Sequence, residues 1–237
     1  VLRDATLTVD LPDGETSPVF LKEAGLDMDF TDKRQQVTLS ADQLTVAKKL
    51  LLAKKTDLGI ASEMGALAGY LPETIIAGGQ VTMDVSVPGG NSLFLSFSPF
   101  ALSVQDLGTC VVRAAIHGPA DMKGDVSISL LEVELTDAGA SDILFALIGK
   151  GQGKTPEFFR REIRMGLSTA GFTLSGPRAK LNPDVLDFLE KPGATLSVKF
   201  APGRPVKPEE VEEMLLRDPE SAGLSSTLTR PDASQGG

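Results

Sequence analysis

The sequence predicts an α+β protein: a curved, mostly antiparallel β-sheet of the meander type, with a helical C-terminal section packed on one face. Three observations carry that prediction. Apolar residues recur with period two through the first 135 positions, turn signals separate the runs at regular intervals, and the period becomes helical from Asp137 onward.

The strands come first. "ATLTVDL" sets Leu7, Val9 and Leu11 on one face, "GLDMDFT" does so with Leu26, Met28 and Phe30, and "GQVTMDVSV" with Val81, Met83, Val85 and Val87. Thr, Asp and Ser fill the alternate positions, as a strand with one solvated face requires. Two longer runs change phase. Val37, Leu39 and Ala41 give way to Leu44 and Val46, and Val126, Ile128 and Leu130 give way to Leu131, Val133 and Leu135. A one-residue slip would turn the apolar set to solvent, so a bulge or strong bend is expected at each. "LPDG" at 11–14, "VPGGN" at 87–91 and "HGPAD" at 117–121 are the turns. One helix is expected within this part: Ser62 caps it, Met64, Leu67, Ala68 and Leu71 form its stripe, and Pro72 stops it.

The helices follow. "DAGASDILFALIG" offers Asp137 or Ser141 as cap, with Leu144, Leu147 and Ile148 as its stripe and Gly149 as its end. The next opens with Thr155 as N-cap and Pro156 at the first helical position, and buries Phe159, Ile163 and Leu167. Asn182 and Pro183 repeat that device ahead of Val185, Phe188 and Leu189; a strand "TLSVKF" spans 195–200, and a last helix starts at Pro208 with Val211, Met214 and Leu215 inside. The chain thus divides into a β-rich region 1–136, a helical section 137–217 in the same domain, and a flexible tail 218–237.

Composition narrows the function. A chain of 237 residues can bury roughly 70–75% of its unfolded surface, so a substantial core is available. Net charge −9 repels polyanions and argues against a nucleic-acid partner. The basic run "KKLLLAKK" at 48–55 could touch anionic lipid, but lysines flanking a short buried segment account for it. The single Cys110 excludes an internal disulfide. The longest apolar run, Ile143 to Ile148, falls far short of the ~20 residues of a membrane helix. A start at Val1 rather than Met suggests a removed signal peptide or anchor, or a trimmed start.

No motif survives as a catalytic signature. "LIGKGQGKTPEFF" looks like a phosphate-binding loop, yet that pattern needs a glycine five residues before Gly153, where Ile148 stands, and a strand leading in. A turn between two helices explains the glycines instead. His117 has Asp121 four residues on but no serine elbow, and one His with one Cys cannot make a zinc site. Cys110 reads as a small hydrophobe in an apolar strand. Asp27, Asp29 and Asp32 lack the glycine turn and distal glutamate of a calcium loop. Carboxylates are plentiful enough for a two-acid hydrolase, but with no Trp and one Tyr a carbohydrate site has few aromatic platforms. No catalytic residue, metal or cofactor is assigned.

Leu135 to Gly139, the Gly149 to Pro156 turn, and Phe188 to Val206 carry a resemblance. With them, the segment from about 130 to 228 resembles the C-terminal part of uncharacterised secreted proteins of Gram-negative bacteria. The strand-rich front is more loosely similar to the repeated sheets of AsmA-like envelope proteins, which are linked to lipid movement between membranes. The resemblance implies a periplasmic location, free or membrane-anchored, and a non-enzymatic role; it transfers no functional residue. The leading expectation is therefore a carrier whose concave face, lined by Met28, Phe30, Met83, Val85, Phe97 and Phe100, holds a lipid or another apolar ligand. A scaffold subunit that meets an envelope partner through its sheet edges or tail is the alternative, and a hydrolase with dispersed acids comes third.

Overall fold

Strand-forming runs separated by short turns pair with their nearest neighbours in sequence, and the computed structural model shows that outcome without a crossover. It describes residues 1–11, 14–31, 34–53, 70–87, 92–119, 125–171, 177–190, 193–217 and 222–230. Among them β1 (Leu2–Asp10), β2 (Thr16–Phe30), β3 (Arg34–Ala47), β4 (Thr74–Ser86), β5 (Ser92–Val104), β6 (Gly108–Pro119), β7 (Ser127–Asp137), β8 (Thr195–Phe200) and β9 (Leu224–Thr229) form one open, curved sheet. Its order is sequential from β1 to β9 and every pairing is antiparallel. The helix expected over 62–71 falls almost wholly on residues outside those described.

Both expected phase changes produce irregular pairing. In β3 the register shifts between Ala41 and Leu44, with Gln43 at φ 49°. In β7 the shift falls two residues before the expected place: Ile116 pairs with Ile128 and Ala115 with Leu130, so Ser129 is the extra residue. Leu131 stays in phase with Ile128, and Leu130 joins the other face.

The helices are α1 (Lys48–Ala53), α2 (Ala140–Gln152), α3 (Pro156–Gly171), α4 (Pro177–Glu190) and α5 (Pro208–Arg217). Asp137 caps α2: its Oδ1 accepts the N–H groups of Gly139 at 3.0 Å and Ser141 at 3.1 Å, and its other oxygen accepts the Ser141 hydroxyl. Because Asp137 is buried, Asp137→Ala removes the acceptor of three donors, two N–H groups and a hydroxyl, and is expected to cost about 2 kcal/mol in a urea melt. α4 starts earlier than its Asn-Pro pair suggests. Pro177 takes the first helical position and Pro183 lies inside.

Helical cover is narrower than expected. Phe188 of α4 packs with Ala194 and Leu196, supported by Val198 and Leu228, and Val211, Met214 and Leu215 of α5 pack on Phe200, Val206 and Ala222. Among the described residues those contacts bury β8 and β9 and reach β7 at Ile128. The predicted flexible tail also needs correction, because its residues 224–229 are strand β9, paired along the whole of β8. The sheet supplies the partner that an isolated polar segment lacks.

Candidate apolar site on the open sheet face

Directly opposed residues of antiparallel strands project from the same face, so the register sorts side chains into rows across the sheet. One row runs Met28, Val37, Met83, Phe97, Ala114, Leu131, Phe200 and Leu224. A second runs Leu26, Leu39, Val81, Phe100, Val112, Val133 and Val198. Beside it lies a third, Ala24, Ala41, Gly79, Leu102, Cys110, Leu135, Leu196 and Leu228. On the far side of the first, Phe30, Gln35, Val85, Leu95 and Ile116 make a fourth.

All six sequence-predicted ligand residues lie in these rows. Met28, Met83 and Phe97 share the first, Phe100 is in the second, and Phe30 and Val85 are in the fourth. Sequence reading within single strands missed their continuation through Leu39, Leu102, Leu131 and Leu135, because cross-strand register is not written in any one strand.

Exposure changes along the rows. Leu196 and Phe200 are each 5% exposed beneath the helices, whereas Met28 is 50%, Leu39 55% and Phe30 59% exposed at the other end. A trough of about 260 Å³ crosses this face between Leu39, Val81 and Phe100 on one side and Leu44 and Ala77 on the other, with Ala41 and Gly79 as its floor. It exists because the third row begins with three small residues. At Gly79 a Cβ would lie 2.9 Å from the Ala101 carbonyl oxygen, so a larger residue there would strain the β4–β5 pair.

The opposite face is polar. Asp84 accepts hydrogen bonds from Arg34 Nε at 2.8 Å and Gln36 at 3.0 Å, Thr38 and Thr82 lie 3.3 Å apart, and Arg113 sits 3.7 Å from Glu132. His117 is on this side, tilted against Phe94 with ring centroids 4.8 Å apart. Its Nε2 lies 2.9 Å from the Ser129 hydroxyl, which also lies 3.4 Å from the Ala115 carbonyl oxygen. Among the described residues no carboxylate touches the ring. The bond ties β6 to β7 at the bulge. Lys207 Nζ donates a hydrogen bond to Asp125, and that bond together with the carboxylate's charge holds its exposed ammonium above the usual lysine value.

The helix expected to end at Gly149 runs on to Gln152, and the chain turns at Gly153 and Lys154. Lys154 N–H donates to the Gly149 carbonyl at 2.8 Å, Gly153 has φ 66°, and Thr155 Oγ1 faces Phe158 N–H at 3.4 Å as the cap of α3. A Cβ at Gly149 would sit 2.4 Å from the Lys154 carbonyl oxygen, which explains the glycine by close packing. Among the described residues no group of three or more His, Cys, Asp or Glu could hold a metal ion, and no helix is long and apolar enough to cross a membrane.

No curated protein and no solved structure matches the chain. Residues 55–223 match the model of a family described as "Uncharacterized protein", and the chain belongs to that family.

Proposed function

We propose that this is a non-enzymatic protein of the bacterial cell envelope, located in the periplasm, that binds or carries a lipid or similarly apolar ligand on the open face of its sheet. One observation carries the reading: side chains of the same rows are core under α4 and α5 and partly exposed from β2 to β7, reaching half or more at Met28, Phe30 and Leu39. Soluble monomers seldom leave more than a few hundred Å² of contiguous apolar surface in water, and larger patches mark binding surfaces. Strand spacing of about 4.8 Å and row spacing of about 6.8 Å give this patch roughly 500–800 Å². The location and the ligand class are what the looser resemblance of the strand-rich front to AsmA-like envelope proteins implies. Met28, Phe30, Met83, Val85, Phe97 and Phe100 would contact the ligand, with Leu39 and Leu102 added by the register.

Solvent extraction of the purified protein followed by mass spectrometry is the test, with stoichiometric lipid expected and a clean extract counting against the reading. Phe100→Asp places a charge beside the trough at a site 42% exposed. Folding should therefore survive, as checked by circular dichroism, while retained lipid falls by about tenfold or more, since burying an unpaired carboxylate in apolar surroundings costs several kcal/mol.

A further inference from the structure

The trough on the open face is a slot laid across the strands. Its floor is Ala24, Ala41 and Gly79, successive partners on β2, β3 and β4. One wall is the row Leu26, Leu39, Val81 and Phe100. The other wall exists because β3 bulges: the shift between Ala41 and Leu44 sets Asp42 and Gln43 against the single residue Gly78, so Leu44 returns to the apolar face in line with Leu21 and Ala77. Regular alternation would have put Gln43 in that wall. The floor row is blocked at one end. Its next member, Leu102 on β5, is 44% exposed and lines the trough, with Cys110 of β6 and Leu135 of β7 behind it. At the other end the row reaches Leu2 on β1, beyond which no strand follows among the described residues. An occupant of the slot therefore sets its apolar end against Leu102 and its polar end at the β1 edge, where water can solvate it.

We propose that the ligand is a single unbranched acyl chain lying across the strands, and that Leu102 is the stop that limits its length. The proposal rests on the carrier reading and names the ligand of that site. Width sets the shape: one row of small residues separates two rows of larger ones, each about 6.8 Å away along the strands, which leaves room for one extended chain and not for two side by side. Length sets the carbon number. Three strands of floor span about 14 Å, and an extended chain advances about 1.25 Å per carbon, so about 12 carbons fit before Leu102. Further methylenes would project past β1 into water and add nothing to binding.

The test is a length series. Protein freed of bound lipid and titrated with straight-chain fatty acids from octanoate to stearate is expected to gain about two- to fourfold in affinity per methylene up to about 12 carbons, and to level off beyond that. Leu102→Ala opens the slot toward Cys110 by one strand spacing, or about four carbons, and should move the break to about 16 carbons. In that variant palmitate should protect the Cys110 thiol from a maleimide, and in the wild type it should not. Ala41→Leu fills the slot at β3 and should move the break the other way, weakening laurate by about tenfold or more. General loss of folding cannot mimic shifts in opposite directions. A break that stays in place in Leu102→Ala, or an affinity that climbs evenly to stearate in the wild type, overturns the stop and leaves the carrier reading standing. Failure of every acid to bind overturns the carrier reading and the stop with it.

Discussion

Phe145→Ala is expected to destabilise the protein by about 3–5 kcal/mol, measured as a lower urea midpoint with an unchanged slope. Phe145 lies in α2 and is 1% exposed, among the most completely enclosed large side chains of the described residues. Its ring lies 5.3 Å from the guanidinium carbon of Arg160 in α3, and Arg160 pairs with Asp142 one turn before Phe145. Removing the ring leaves a cavity between the two helices and uncovers a cation whose Nε is already buried without a hydrogen bond. The ion pair itself is the weaker tie. With Asp142 57% exposed, Asp142→Ala is expected to cost about 1 kcal/mol or less, so the comparison separates packing from charge.

The same comparison shows what the sequence could and could not convey. Period-two patterning placed β3, β4 and β7 but left β5 and the first half of β2 unread, and the slip at Ala41 to Leu44 was legible because keeping both apolar pairs on one face requires an irregularity there. At β7 several bulge positions preserve the apolar face nearly equally well. The choice of Ser129 over the Leu130–Leu131 step depends on the His117 and Ala115 contacts from β6, which no local pattern contains. Helix starts marked by Thr155-Pro156 and Pro208 were legible through the first-position preference of proline. Asn182-Pro183 carried the same signal and misled, because Pro177 stands one and a half turns earlier and has an equal claim.

For the candidate site, each strand shows which of its residues belong together, as with Met28 and Phe30 or Met83 and Val85. That these sets join into rows depends on register, and that they remain open depends on where the helices stop. Both are tertiary facts. The apolar stripes of α4 and α5 predicted that they would cover something; only packing against Leu196, Phe200 and Val206 restricts that cover to the end of the sheet.

Ending the chain after Arg217 is expected to have the larger effect, unfolding at least the C-terminal unit and lowering stability by more than 5 kcal/mol. The deleted residues include β9, a six-residue strand paired with β8 from Thr195 to Phe200, with backbone hydrogen bonds worth about 1 kcal/mol each. It is fixed at both ends. Before the strand, Ala222 is fully buried, and Gly223 adopts φ 59° with its Cα so near Ala201 that a Cβ would lie 2.1 Å from that carbonyl oxygen. Within and after it, the buried Ser226 hydroxyl donates to Asp184, and Arg230 pairs with Asp187, both on α4. Losing β9 therefore also removes the support of α4 and uncovers Leu196. Loss of amide protection in 193–217 by hydrogen exchange would show it, and a truncated chain that kept native protection there would refute it. Stopping after Arg230 instead spares every one of these contacts and should shift stability by less than about 0.5 kcal/mol. A partner lost on deleting all of 218–237 would thus report on the fold, and only the shorter deletion can test whether the extreme C-terminus makes contacts of its own.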